Sequence, residues 1–597
     1  MFAAHSPAAP PETPASLNDE LELESRRAAA RRRKRRLFCV ALLILLVLAF
    51  GPLLFTLNSF RNRLESAMSA AVGRKVTVKN VHLRLLPTPG FNLDGFQIHD
   101  EPAFGSEPLL RAEKVSAVLR LSSLWRGKVE VSSLSLQEPS LNLVRAADGH
   151  WNLEALLTHA TQVSVAPTAR AQAESRPRFP YIECNNGRIN FKVGDEKKVY
   201  ALMDADFALW LASENKWETR LKARPVRTDA DLGDTGTLKI SGSFERAASL
   251  RETPLHLNLS LERAQLGQLT HLIYGRDRGW RGGIDAEGTL SGSPAILNGA
   301  AKISVTDFGR YDITSTDAFN AEIRCEGILA ATDQAEADSS FPSGTRILRG
   351  SCTLPRDKGI INATGYYLPG LRTGSMQIVA ASFPLSTLAM LAKHMKRGIA
   401  PDLSADGVLN GRIALHRGNV PAEPGAMIQD GREHWTLTAN PVLHSSPFPP
   451  LDAGVLVLNF EQPAALTSTA AAMHAQARHA DAPAQLTLLP APMLLGGATP
   501  AVLSASATAA GYDMTLQGEV DDQRLEHFLQ ALGLPTVSAL KPLKPAGTLV
   551  AASTKPEAAR ARVNLDISGA WSGFSAPVAA GTVRAETPQK LAGRTVQ

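Results

Sequence analysis

Fourteen histidines and four cysteines are the side chains best able to carry chemistry in this sequence. The histidines are scattered. His82 and His99 stand in strand-like text, and His150 precedes Trp151 in a turn-like run, where structural roles account for them. Asp204, Asp206, Asp229, Asp231 and Asp234 form a loose acidic set. Calcium would need tighter spacing and a glycine at the bend. No GxSxG, HExxH, GxxxxGK[ST] or strand-linked GxGxxG occurs. The expectation is a protein that is not an enzyme and holds no metal or cofactor. No two cysteines are spaced as CxxC, which argues against a zinc ribbon or a thioredoxin-type site. Cys325 and Cys352 lie in strand-like text on either side of a polar loop. In an oxidising compartment the two can pair; otherwise they are separate thiols.

The elements that would position these residues begin with an anchor. Residues 1–36 read as a disordered tail ending in Arg31, Arg32, Arg33, Lys34, Arg35 and Arg36. Leu37 to Leu57 follow without a charge. At 1.5 Å per residue this run reaches about 30 Å, one hydrocarbon thickness. Its exit has no small-residue cleavage site, so it reads as an uncleaved transmembrane helix rather than a signal peptide. Basic residues concentrate before it, which keeps the N-terminus cytoplasmic and exports the rest. The net charge of +6 comes from this terminus, because without its eight basic residues (Arg26 and Arg27 included) the chain sits at about −2. The charge therefore gives no argument for nucleic acid as a partner.

Beyond the anchor the hydrophobic period changes twice. Phe60, Leu64, Met68 and Val72 recur every four residues and predict an amphipathic helix over 59–72. From Val76 the period is two, with parity slips between runs such as Phe91–Leu93 and Phe96–Ile98 that require a bulge or turn. Region 74–145 thus reads as a β-meander with one apolar face. Residues 159–178 are a linker, and strand text resumes at Tyr181, including Thr237–Phe244 and His256–Leu261. Three helical segments, whose first leucines are Leu266, Leu385 and Leu525, each precede a glycine 22 residues after that leucine, at Gly288, Gly407 and Gly547. Equal spacing suggests a duplicated helix–loop–strand unit. A long sheet with one apolar face must bury it in a barrel, a sandwich or a curled groove.

The stretches Gly73–Val78, Leu85–Leu93, Leu134–Leu143 and Asp148–Leu153, in this order behind an anchor, resemble the start of AsmA family proteins. The resemblance covers about 37–155, extends more loosely over 179–420, and rests beyond 440 on the third helix–glycine unit alone. It implies a mainly β chain: an elongated, curled antiparallel sheet forming a groove, with short helices and one transmembrane helix. It also implies division into 58–158, 179–440 and 441–597. Members of that family often continue further than Gln597, so a short or truncated member is expected.

The implied role is phospholipid transport from the inner membrane toward the outer membrane, and a part in outer-membrane assembly. The implied partners are membrane phospholipids and outer-membrane assembly proteins, with the bulk of the chain in the periplasm. Candidate groove-lining residues are Val76, Val78, Leu83, Leu85, Val115, Leu119, Leu121, Leu134, Leu136, Leu141 and Leu143. The alternative is a membrane-tethered scaffold for outer-membrane protein assembly that carries no lipid and has a closed core.

Overall fold

The computed structural model describes residues 33–45, most of 61–69, 73–84, 88–120, 131–146, 150–154, 181–331 apart from four single positions, 344–418, 427–463 apart from 430 and 431, 483–536, 560–571, 578–585, 590–591 and 594–595. Residues 33–45 are helical (α1), and Leu37, Phe38, Val40, Leu42, Leu43, Ile44 and Leu45 on it are all exposed. Among the described residues no helix is long and apolar enough to cross a membrane. The rest of the predicted span over 37–57 lies outside the described residues, as do Arg31, Arg32 and the 159–178 linker.

The chain is mainly β, with few and short helices. It divides into two compact units, Met1–Asn142 with Ser175–Asn185, and Leu143–Glu174 with Asn186–Gln597.

In the first unit, helical residues between 61 and 69 (α2) lead into strand Val76–Thr77. Two polar side chains of α2 serve that segment. Ser69 Oγ accepts from the Val76 N–H at 2.9 Å, and Glu65 Oε1 accepts from the Val78 N–H at 2.8 Å. Strand Gly90–Ile98 pairs with Val76–Thr77, Asn80–Arg84 and Leu110–Leu119. Gly95 takes φ 62° between Leu93 and Phe96. An extra residue there shifts the parity, so Leu93, Phe96 and Ile98 all reach the core. This is the slip visible in the sequence. Leu110–Leu119 continues to Val131–Gln137, which pairs in parallel with the first residues of Tyr181–Val193. The sheet is therefore mixed rather than purely antiparallel.

In the second unit an antiparallel meander runs from Glu196–Leu211 to Val578–Ala585. Non-glycine residues with positive φ recur in its strands, and the neighbouring strand supplies an Asx side chain to four of them. The N–H groups of Asn186, Arg263, Asp307 and Ser382 donate to Asp206, Asp285, Asn320 and Asn410 at 2.7–3.1 Å. A left-handed non-glycine residue costs on the order of 1 kcal/mol, and the hydrogen bond to its freed N–H offsets this. Each bulge sharpens the local twist.

Three helices, α3 (Leu266–Tyr274), α4 (Leu385–Met395) and α5 (Asp522–Ala531), each follow a long strand with no intervening residue. Helix positions read from the sequence thus agree, but the glycines are not equivalent. Gly288 lies within a strand opposite Leu259, whereas Gly407 precedes its strand and its carbonyl accepts from the Leu385 N–H. Gly547 lies outside the described residues. The equivalent positions are Arg263 and Ser382, the left-handed residues three before α3 and α4.

Candidate functional site: an apolar trough on the central strands

The second unit's register builds its central face row by row. Phe207, Leu221, Ile240, Leu259, Gly288, Ala301, Cys325, Cys352, Ala363, Ile378 and Ile413 stand side by side on successive strands. At roughly 4.8 Å per strand this row is about 48 Å long. One residue along, the facing row is Asp206, Lys222, Lys239, Ser260, Glu287, Lys302, Arg324, Thr353 and Asn362. A sheet of period two therefore carries one aliphatic and one charged face. The charged face is knit by Lys239–Glu262 at 2.6 Å, Lys302–Glu322 at 2.9 Å and Arg324–Glu322 at 2.7 Å. Lys239 holds the Glu262 carboxyl below its ordinary range, and Lys302 and then Arg324 do the same for Glu322.

Two residues further along the aliphatic face the row changes character. Leu257 and Leu290 are followed by Gly299, Gly327, Gly350 and Gly365 on four adjacent strands, then by Met376 and Leu415. The next row is large again apart from Gly292: Leu255, Gly292, Leu297, Leu329, Leu348 and Tyr367. Four missing side chains between two aliphatic rows leave a trough of about 760 Å³, lined also by Arg349, His416 and Arg417. Part of the glycine row answers to the backbone. A Cβ at Gly327 or Gly350 would stand 2.7 or 2.9 Å from the carbonyl oxygen of Arg349 or Glu326. Gly299 differs, since a Cβ there would meet only the tip of Leu290 within 3.1 Å.

The trough is not covered. Leu290, Leu297, Ile303, Leu329 and Ile378 are half-buried, and Leu348 and Met376 are 44% and 40% exposed. The disulfide Cys325–Cys352 lies in the aliphatic row between directly opposed residues, with Cα atoms 4.0 Å apart. The pairing open in the sequence is therefore made, and it ties the two strands at the trough.

Further along the same meander the apolar face is sealed. Met493, Leu503, Met514, Leu516, Val563, Leu565 and Ile567 are buried with Leu525, Phe528 and Leu529 of α5 in one cluster. The Asp521 carboxylate caps α5 by accepting from the Arg524 N–H at 3.0 Å. At the other end Lys396 donates to the carbonyls of Leu532 and Gly533 at 2.7 and 2.8 Å. These acceptors are the C-cap of α5 and the residue that follows it. Burial draws the Lys396 ammonium down to about 8. Arg310 donates to the Trp571 carbonyl at 3.0 Å, and Arg397 reaches the Asp312 carbonyl at 3.2 Å. Arg310, then Arg397, hold the Asp312 carboxyl below its ordinary range. Residues 261 positions apart thus touch, so this unit's sheet curls back on itself.

The lining residues named from the sequence gather in the first unit instead. Val76, Val78, Val115, Leu119 and Leu136 are buried there, with Val115 opposite both Leu93 and Leu136. Leu83, Leu134 and Leu141 are half-buried. Leu143 is half-buried and falls in the second unit, while Leu85 and Leu121 lie outside the described residues. Three of the acidic set take structural roles: Asp204 pairs with Arg224, Asp206 receives the Asn186 N–H, and Asp229 pairs with Arg227. His82 sits 3.1 Å from Asp94, and His150 sits 2.7 Å from Glu154. Sequence reasoning missed the trough because its four glycines are 15 to 28 residues apart and align only once the strand register is known.

Residues 30–208 match the model of the AsmA family. The comparison with curated proteins gives no match, and the comparison with solved structures gives none either.

Proposed function

We propose that this chain, whose residues 30–208 match the AsmA family model, is a membrane-anchored lipid carrier. In this reading the charge-free run from Leu37 fixes it in an inner membrane and the rest works in the periplasm. Phospholipid acyl chains lie in the trough on their way toward the outer membrane, and outer-membrane assembly benefits. The observation that carries the reading is the half-covered aliphatic face around Gly299, Gly327, Gly350 and Gly365. Such a face costs free energy in water, and an acyl chain regains about 0.8 kcal/mol for each CH₂ it buries. The aliphatic row that borders the trough, about 48 Å long, is roughly three times the half-thickness of a bilayer's hydrocarbon core, about 15 Å. It is long enough for a chain to remain shielded while it slides.

A second reading, the scaffold that carries no lipid, is favoured by one observation. The apolar face between Gln485 and Ala570 is closed by α5. Phospholipid retained by the purified full-length protein separates the two. The double variant Leu297→Glu, Leu329→Glu should retain measurably less lipid by mass spectrometry than the wild type. Replacing Lys302 and Arg324 by Gln on the opposite face should leave retention unchanged. Absence of phospholipid from the purified wild type would favour the scaffold, and equal retention in all three proteins would move the lipid away from the trough.

A further inference from the structure

Helix α3 is the most apolar of the three repeated helices, yet it has no buried residue. In α5 four residues are buried, and in α4 two. The sequence Leu272-Ile273-Tyr274 closes α3, and the chain then turns at Gly275, which is left-handed with φ 73°. This end is held firmly. Arg227 Nη1 donates to the Leu272 carbonyl at 3.1 Å, and the Tyr200 hydroxyl donates to the Ile273 carbonyl at 3.0 Å. With the backbone clamped from the sheet side, Ile273 and Tyr274 are 58% and 60% exposed.

The turn that follows adds charge. Arg278 lies over the Tyr274 ring, 4.8 Å from its centroid, and neither Arg276 nor Arg278 has an acidic partner among the described residues. The nearby carboxylates are engaged elsewhere: Asp277 accepts from the Gly279 N–H, Asp229 is paired with Arg227, and Asp307 faces Arg281. Tyr311, 63% exposed, lies against Gly279 and extends the patch. An exposed aliphatic and aromatic tip flanked by Arg276 and Arg278 suits a boundary between hydrocarbon and anionic headgroups. Tyrosine settles at headgroup level there, and arginine reaches outward to phosphate.

We propose that the α3 tip, formed by Ile273, Tyr274, Arg276, Arg278 and Tyr311, is a docking surface for an anionic membrane. The proposal is independent of whether the trough holds lipid.

The test holds the full-length protein in a nanodisc of uncharged phosphatidylcholine and adds vesicles with about 30% phosphatidylglycerol. The wild-type disc should float with these vesicles and not with pure phosphatidylcholine vesicles. The double variant Ile273→Ser, Tyr274→Ser should lose about tenfold in vesicle-bound fraction. Each of Arg276→Gln and Arg278→Gln should lose about fivefold at low salt. Leu371→Ser, which removes another exposed leucine, should float as the wild type does. All these side chains are exposed, so an unchanged thermal transition verifies the fold of each variant. Flotation of the tip variants at wild-type levels, equal binding to neutral vesicles, or a dimer that the same substitutions dissolve would each overturn the proposal. The last outcome would assign the surface to a second copy of the chain.

Discussion

Between Leu255 and Arg417 the meander leaves its aliphatic face half covered, whereas between Gln485 and Ala570 the same alternation is packed shut. The two stretches share a topology and a strand-to-helix connection, so neither feature decides which face opens. The side chains on the face and the helix set against it do. Four consecutive strands place glycine in one row of the open stretch. The closed stretch places Met514, Leu516, Val563 and Leu565 on its face, and α5 supplies Leu525, Phe528 and Leu529 to meet them. Helix α3, in the open stretch, buries no residue. The lesson is that a repeated strand–helix unit can build either an open apolar surface or a core, according to whether its helix buries apolar side chains against the sheet.

The largest expected effect is on the closed side. Leu516→Ala removes a side chain with no exposure and should cost about 3 kcal/mol in denaturant unfolding. The same change at half-buried Leu329 should cost less than about 1 kcal/mol. Equal losses would erase the distinction between the regions.

Asp285→Ala comes next. It strips the acceptor from the Arg263 N–H at a left-handed bulge and should cost about 1.5 kcal/mol, read from the same unfolding curves. An unchanged midpoint would show that the bulges hold without their Asx partners.

Gly299→Leu sharpens the comparison on the open side. Its Cβ meets only the tip of Leu290, so stability should shift by less than about 1.5 kcal/mol while the trough fills and retained phospholipid falls. Undiminished lipid would place the acyl chains elsewhere.

The smallest effect concerns Lys396. Burial lowers its ammonium to about 8, below the ordinary lysine value it regains on unfolding. Between those values the unfolded chain holds more protons, so stability rises as pH increases through that window. The unfolding midpoint should therefore rise slightly between pH 7 and pH 10 in the wild type. Lys396→Met should lack this increment.

Much of the architecture is legible in the residues themselves. Alternation at Leu257, Leu259 and Leu261 marks a strand, and Leu266, Leu269 and Ile273 mark the helix after it, because side-chain period follows directly from backbone geometry. The parity slip between Leu93 and Phe96 is equally readable, and Gly95 is its cause. Register across strands is not readable in the same way. Equal 22-residue spacings join Gly288 to Gly407, which occupy unlike positions, and pass over Arg263 and Ser382, which correspond. Burial was likewise hidden. Val115 and Leu297 belong to the same kind of alternation, yet one is packed on all sides and the other borders a trough.

The most direct measurement is photo-crosslinking in intact membranes with a benzoylphenylalanine placed in turn at Leu329, Lys302 and Leu516. The account predicts phospholipid capture at Leu329 in the open trough, and none at Lys302 on the charged face or at Leu516 in the closed core. Capture equal at all three positions, or absent at Leu329, would contradict it.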